Sequence, residues 1–269
     1  MRFKITLTPD YILFGNEIPM NYQYELSSFI YRTLARSDSG YSAWLHENGF
    51  ITGTKRFKLF SFSNLLIPAY AIHGDRISIQ SQKVELIVSF LPGRSTEEFI
   101  RGLFTEQAFC LGDKQSKVQF TASAIELLPD PVFAPGDEFT TLSPVCITRK
   151  ENGSNRIIYE SPETQYATEA LFFNLKNKYK AFTGKDIADD AGFNFQLTSP
   201  PRSKLIAIKT NTEQQTKVKG YLFNFKISAP PELMEVMYGA GLGEKGSLGF
   251  GQVITLKEMR TITTRLKKG

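Results

Sequence analysis

Side chains that can transfer a proton near neutral pH are scarce in this sequence of 269 residues, which contains two histidines, His46 and His73. His46 follows Trp44 and Leu45 near the predicted end of a short helix, and its imidazole can both accept and donate a proton near neutrality. The C-terminal end of that helix would favour the charged form of the ring. A surface or packing residue is the alternative. His73 lies at a predicted turn in YAIHGDR, and we interpret it as structural.

Lys58 occupies an unusual position for a charged residue, because it lies inside the otherwise apolar segment RFKLFSF at 56–62, which predicts a strand. An ammonium group there must reach solvent, a carboxylate or the phosphate of a ligand. Arg56 shares its strand face by period-two alternation. The alternative is an edge-strand lysine that only aids solubility, and Lys55 replaces Lys58 as the candidate if the local register is different.

Tyr31 lies outside the apolar stripe of a predicted helix over residues 21–36 and shares a face with Ser27 and Ser28. The stripe itself consists of Leu26, Phe29, Ile30 and Leu34. A phenol on the polar face is available for chemistry, whereas a tyrosine that covers the edge of the core is the alternative.

The composition limits the classes of function. The chain has 32 Lys and Arg against 27 Asp and Glu, a net charge of +5, which favours anionic partners such as nucleic acid but also suits solubility alone. Cys110 and Cys146 form neither a disulfide framework nor a zinc site, and no carboxylates cluster at ligand spacing, so we predict no metal and no cofactor. The N-terminus lacks a signal core and no run of about 18 apolar residues occurs. We therefore expect a cytoplasmic protein without a membrane span.

Six glycines occur among the thirteen residues of GAGLGEKGSLGFG at 239–251, the glycine segment. A dinucleotide-binding loop is excluded because that fingerprint requires a preceding strand and a following helix, whereas here a helix precedes and a strand follows. A flexible connection needs only two or three glycines. We therefore favour a bare backbone surface for a polyanion. The candidate RNA-binding residues are Gly241, Gly243, Lys245, Gly246, Ser247, Gly249 and Gly251, together with Arg56.

The elements that must position these residues form the same order twice. The first half begins with a half-buried strand at the N-terminus, followed by the helix 21–36 and a second helix capped by SDSG at 37–40. Strands follow at 56–62, 76–81 and 83–91. A helix with a capping box at Ser95 and Glu98 and a strand at 115–127 complete this half. The proline-rich segment 129–138 predicts a linker. In the second half the predicted strands are 139–149, 191–197, 203–210, 217–227 and 249–256, with helices from Ser161-Pro162 to Tyr179 and from Pro230 to Gly239.

Each half approximates β-α-β-β-α-β, which predicts an α+β protein with two tandem ferredoxin-like (RRM-like) domains and antiparallel sheets. We expect domains at 1–128 and 139–258, the linker 129–138 between them, and a frayed basic tail at 259–269.

The segment GLGEKGSLGFGQV resembles the glycine-rich C-terminal signature of the CRISPR-associated endoribonucleases that cut repeat RNA into guide RNAs. Similar segments occur in the expected order along the chain: MRFKITL, NYQYELSSFIYRTL, LHENGF, RFKLFSFS and TLSPV. The resemblance implies tandem ferredoxin-like domains, in agreement with the element order.

The resemblance also implies RNA cleavage without a metal, in which the ribose 2′-hydroxyl attacks the adjacent phosphate and leaves a cyclic phosphate and a 5′-hydroxyl. The family places a tyrosine, a histidine and a lysine at this step, and Tyr31, His46 and Lys58 occupy the matching positions. The expected partner is CRISPR repeat RNA. An effector complex and a homodimer stay open as further partners, and a non-catalytic RNA-binding relative or a structural subunit is the rival interpretation.

Overall fold

The N-terminal half of the chain folds around one antiparallel sheet. The computed structural model describes residues 1–134, 136–151, 153–210 and 212–266. The strands of this half are β1 (Arg2–Asp10), β2 (Glu17–Pro19), β3 (Phe50–Thr52), β4 (Lys55–Phe57), β5 (Phe60–Phe62), β6 (Tyr70–His73), β7 (Arg76–Ile79), β8 (Val84–Phe90), β9 (Ala108–Gly112) and β10 (Lys117–Leu128). The helices are α1 (Tyr11–Phe14), α2 (Gln23–Ser37), α3 (Ser39–Glu47) and α4 (Arg94–Thr105).

The main sheet of this half has the order β5-β8-β1-β10-β9, with β1 and β8 in its interior. Read along the chain, β1-α2-β5-β8-α4-β10 is the predicted β-α-β-β-α-β unit, and β9 extends one edge. The stripe predicted for α2 is fully buried beneath α4 and the sheet. The strand β1 was expected to be half-buried. However, Arg2 and Lys4 on its second face are also buried.

The C-terminal half repeats this arrangement with a four-stranded antiparallel sheet of order β14-β17-β11-β18. Its strands are β11 (Glu138–Thr141), β12 (Thr148–Lys150), β13 (Ile157–Tyr159), β14 (Asn194–Leu197), β15 (Arg202–Ile208), β16 (Thr216–Leu222), β17 (Asn224–Ser228) and β18 (Val253–Thr255). Its helices are α5 (Gln165–Thr183), α6 (Pro231–Ala240) and α7 (Leu256–Leu266), with a 3-10 turn at Gly246–Leu248. The β12-β13 and β15-β16 hairpins are insertions. The fold confirms the predicted α+β class with two ferredoxin-like sheets.

Several predicted boundaries are wrong. The predicted capping box is absent, because α4 begins after Gly93 and the Ser95 hydroxyl pairs with Tyr41 instead. Helix α5 begins at Gln165 rather than at Pro162, since the Thr164 side chain accepts a hydrogen bond from the Ala167 amide and forms the N-cap. The predicted strands 139–149 and 217–227 are each interrupted.

The sequence predicts a frayed basic tail at 259–269, but residues 256–266 form α7, and residues 267–269 lie outside the described residues. Ile262 is buried against Ile87, Leu142 and Ile254, so one apolar contact with both halves orders this helix despite its charge.

A buried polar seam joins the two halves. The Arg2 guanidinium donates to the Ser89 hydroxyl and to the Tyr238 carbonyl, each at 2.8 Å, and stacks on the Tyr238 ring. The Gln252 side chain donates to the same Ser89 hydroxyl and accepts from Ser61. Because unpaired polar groups are costly in such an interior, these bonds fix how the halves meet. The bond between Ser61 and Gln252 joins β5 to the residue that directly follows the glycine segment.

Candidate active site

Tyr31 and His46 meet because the chain reverses sharply between α2 and α3. Asp38 ends α2, and its carboxylate accepts a hydrogen bond from the Tyr41 amide at 2.8 Å, which caps the start of α3. The Ser42 hydroxyl donates to the Tyr31 carbonyl at 2.9 Å and ties the two helices together. The rings of Tyr31 and His46 then lie edge to face, with 5.0 Å between their centroids and 82° between their planes. His46 is exposed, whereas Tyr31 is half-buried.

Lys58 reaches the same point from a break in the strand rather than from inside it. The predicted strand 56–62 is split into β4 and β5, and Leu59 between them has a left-handed backbone with φ +54°. The Lys58 ammonium donates to the His46 carbonyl at 2.6 Å. This carbonyl is one of the last in α3 and has no partner within the helix, so Lys58 caps the negative end of α3. Burial, with a smaller contribution from the nearby Arg56, lowers the pKa of Lys58.

Two neighbours support this cap, and sequence reasoning missed one of them. Arg56 donates to the Glu47 carbonyl at 3.2 Å, which satisfies a second terminal carbonyl of α3. Gly49 follows the helix with φ +64°, and a β-carbon at that position would lie 2.4 Å from the Phe57 carbonyl and 3.3 Å from the Lys58 ammonium. A left-handed glycine directly after a helix is a recognisable C-terminal signal, and here it also makes room for Lys58.

The glycine segment completes the site through Ser247. Its hydroxyl lies near the Tyr31 phenol and affects its pKa. Burial raises the pKa of Tyr31 to about 12, and the nearby Ser247 hydroxyl opposes this only in part. The phenol is therefore neutral near pH 7 and can donate a proton or a hydrogen bond. Tyr31, His46 and Lys58 come together as predicted, although their catalytic roles remain a prediction.

The glycines themselves mostly satisfy internal packing. A β-carbon on Gly251 would lie 2.1 Å from the Leu242 carbonyl, and one on Gly246 would lie 2.6 Å from the Phe60 carbonyl. Added methyl groups would also approach protein atoms to 3.0 Å or less at Gly241, Gly243 and Gly249. The close approach that the sequence predicted is thus made first to the protein's own chain.

This packing limits which part of the glycine segment a ligand can touch. Gly241, Gly243, Gly249 and Gly251 are buried, while residues 244–248 are at least partly exposed. Lys245 is exposed in a left-handed conformation at the tip. Contact between RNA and this segment therefore remains a prediction, with its accessible surface confined to the turn that holds Lys245, Gly246 and Ser247.

A cavity of about 470 Å³ opens between this turn and residues 55–60, and its inner wall comes from helix α5. Asn174 and Lys178, four residues apart and therefore on one helix face, line that wall and are buried. The Lys178 ammonium donates to the carbonyls of Gly241 and Gly243, each at 2.7 Å. Burial lowers its pKa to about 7. Sequence reasoning missed both residues, since α5 carries polar side chains on several faces.

His73 ends β6 next to a turn, as expected from the sequence. Within the described ranges, no group of three or more His, Cys, Asp or Glu side chains is arranged to hold a metal ion. None of the helices in the described part of the chain is both long and apolar enough to cross a membrane.

Comparison with known families gives two matches that together extend along most of the chain. Residues 17–125 match the model for CRISPR-associated protein Cas6, N-terminal, and residues 128–254 match the model for CRISPR associated protein Cas6, C-terminal. Among curated proteins, CRISPR-associated endoribonuclease Cas6 1 of Methanocaldococcus jannaschii is 28% identical over 99% of this chain and 97% of the relative. CRISPR-associated endoribonuclease Cas6 of Pyrococcus furiosus is 27% identical over 94% of this chain and 89% of the relative.

Solved structures agree with the fold. A structure of a CRISPR associated protein Cas6 has a TM-score of 0.73 and 28% identity, and the match covers 95% of this chain and 99% of that protein. The product of a Cas6-related gene from Pyrococcus furiosus has a TM-score of 0.79 at 24% identity, with 96% and 99% covered. The second likeness concerns the fold alone.

Proposed function

Since the chain belongs to the Cas6 family of CRISPR-associated proteins, we propose that it is an endoribonuclease that cleaves CRISPR repeat RNA without a metal ion. The ribose 2′-oxygen forms a bond to the adjacent phosphorus while the bond from phosphorus to the 5′-oxygen breaks. The products are a 2′,3′-cyclic phosphate and a 5′-hydroxyl. The naming of two relatives as CRISPR-associated endoribonucleases supports this reaction class.

One observation carries the proposal: a phenol, an imidazole and an ammonium from three separate elements converge. The Tyr31 and His46 rings are in contact at 5.0 Å, and Lys58 donates to the backbone of His46 at 2.6 Å. The reaction requires a proton acceptor, a proton donor and a positive charge near the phosphate. These three groups can supply all of them within one small area.

The environments of the groups support a division of roles. His46 is exposed, and an imidazole is the side chain that accepts a proton most readily near pH 7, so it takes the proton of the 2′-hydroxyl. Tyr31, whose pKa is raised to about 12 by burial, keeps its proton and gives it to the departing 5′-oxygen. The Lys58 ammonium has three N–H bonds and uses one on the His46 carbonyl, so it can still donate to a phosphate oxygen.

The RNA path follows the positive rim of the cavity. Lys55, Arg56, Lys58 and Lys245 line it, beside the turn that holds Gly246 and Ser247. Such charges bind the phosphate backbone without reading sequence. The base next to the cut must be unpaired to enter the cavity, so the substrate is a single strand or a weak hairpin.

The test is incubation of the repeat RNA encoded beside the gene with the protein in excess EDTA, followed by mapping of both product ends. We expect one cut, with a cyclic phosphate on one fragment and a 5′-hydroxyl on the other. His46→Ala should slow this cut by about 10²–10⁴-fold and leave repeat binding within a few fold. Loss of cleavage in EDTA, or equal rates for the variant and the parent, would contradict the proposal.

A non-catalytic RNA-binding relative is the second candidate, and one observation favours it. Lys58 has a structural reason to be present, since it caps α3. A third relative, from Pyrococcus furiosus and 26% identical, is described as endoribonuclease-like. Under this alternative the parent protein binds the repeat RNA and leaves it intact in the same experiment. Retention in an effector complex after ribonuclease treatment would instead indicate a structural subunit.

A further inference from the structure

The side chain of Asn174 is buried without a partner. Only 8% of the residue is exposed, and its carbonyl oxygen Oδ1 has no hydrogen-bond partner among the residues that the structure describes. Buried polar atoms are usually paired with a protein group, water or a ligand, because leaving one unpaired is costly. The oxygen is an acceptor and therefore needs an N–H or O–H donor.

Asn174 belongs to the wall of the 470 Å³ cavity beside the candidate active site. Its neighbour Lys178 cannot supply the missing donor, because the three N–H groups of its ammonium already donate to the carbonyls of Ala240, Gly241 and Gly243. Lys58 and Ser247 also line the cavity, whereas Tyr31 and His46 do not, and the Lys58 ammonium is bound to the His46 carbonyl. A base in the cavity thus shares it with Lys58, one of the three proposed reactive groups.

The dimensions and chemistry of the cavity suit one nucleotide. Its volume falls within the range of about 300–1,000 Å³ found for small-ligand pockets. Lys55, Arg56 and Lys245 at the rim can neutralise a phosphate, while the side-chain amide of Asn174 at the inner wall can pair with the edge of a base. Thr148 adds a hydroxyl to the wall, but Glu244 already binds it.

We propose that this cavity receives one base of the RNA next to the cleaved bond and that the side-chain amide of Asn174 pairs with the edge of that base and so selects which base is bound. The inference rests on the proposed function. With adenine, for example, the amino N–H donates to Oδ1, and the amide N–H₂ of Asn174 donates to a ring nitrogen.

The experiment measures single-turnover cleavage and equilibrium binding of repeat RNAs that carry each of the four bases, one position at a time, around the mapped cut. The full-length parent, Asn174→Ala and Asn174→Leu are compared. Asn177→Ala is the matched control, because Asn177 lies on the same helix and binds the Phe173 carbonyl outside the cavity. We expect the parent to prefer one base over the other three by about 5- to 100-fold at one position, and both Asn174 variants to lose that preference.

Stability measurements separate this role from a structural one. Removing an unpaired buried amide should leave the melting temperature of Asn174→Leu equal to or above that of the parent, whereas a structural asparagine would lower it. Equal base preference in the parent and Asn174→Ala, or no preference in the parent, overturns the inference while leaving the proposed cleavage intact. A parent that binds but does not cut removes the proposed function, and the binding panel then decides the inference. A parent that neither binds nor cuts overturns both.

Discussion

Replacing Tyr31 by phenylalanine removes a single oxygen from the candidate site. The ring contacts of Tyr31 with His46 and Phe60, at 5.0 and 5.6 Å between centroids, are compatible with a phenylalanine in the same place. The lost interaction is the one between the Tyr31 hydroxyl and the nearby Ser247 hydroxyl. This substitution therefore tests the hydroxyl rather than the packing.

The expected magnitudes differ strongly between stability and catalysis. Loss of one hydrogen bond at a half-buried hydroxyl should cost about 0.5–1.5 kcal/mol of unfolding free energy. Loss of a group that transfers a proton in the transition state should slow cleavage by about 10²–10⁴-fold. With the pKa of Tyr31 raised to about 12 by burial, only about one phenol in 10⁵ is ionised at pH 7, so the neutral donor is the working form.

The assay is single-turnover cleavage of the repeat RNA between pH 6 and 10, with RNA binding and thermal unfolding measured in parallel. Tyr41→Phe is the control, since the hydroxyl of Tyr41 is bound to Ser95, the residue is buried, and its pKa is also raised by burial. We expect the rate of the parent not to rise tenfold per pH unit up to pH 10, because Tyr31 acts as the neutral donor. A continued rise would make the Tyr31 phenolate the base, and parent-like cleavage by Tyr31→Phe would remove the hydroxyl from the reaction.

Three further predictions concern the surroundings of the site. Lys58→Met should slow cleavage by about 10²–10³-fold in the same assay, whereas Lys58→Arg, which keeps the charge, should keep part of the rate. Equal loss in both variants would indicate that the bond from the ammonium to the last turn of α3 matters rather than the charge. Gly251→Ala should lower the unfolding free energy in urea by more than the control Gly184→Ala, which should cost about 1 kcal/mol. Both glycines have left-handed backbones, but only a β-carbon on Gly251 would meet a carbonyl, at 2.1 Å, and equal losses would refute the packing role. Burial lowers the pKa of Lys178 to about 7, so the unfolded chain binds the Lys178 proton more tightly than the folded chain does, and the unfolding free energy of the parent should rise from pH 7 to 9. A rise of equal slope in Lys178→Met would refute this.

The order of elements could be predicted from the sequence because it depends on local patterns. The apolar stripe of α2 and the alternation in β1 each occur within one element, and the β-α-β-β-α-β order follows from their succession. Errors occurred where two local signals competed. Pro162 and Thr164 are both acceptable near a helix start, and the choice of Thr164 as the cap depends on the turn before it.

The parts of the site that the sequence did not predict depend on contacts between distant residues. Leu59 adopts a left-handed backbone with φ +54°, a conformation that a leucine in the sequence does not predict. This break in the strand turns Lys58 toward α3. The sequence favours a surface for a polyanion at the glycine segment. However, the groups that require Gly246 and Gly251 are the Phe60 and Leu242 carbonyls, which come close to these glycines only in the folded chain. No local sequence pattern around Asn174 predicts that its side chain lines a cavity.

The chain order of the site has a consequence for protein synthesis. Tyr31, His46 and Lys58 leave the ribosome well before Ser247 and the turn that carries it. A nascent chain that has not reached this turn thus holds the three proposed reactive groups without the Ser247 hydroxyl near Tyr31 and without half of the pocket wall. Under the proposed function, such a fragment is expected to be inert toward RNA.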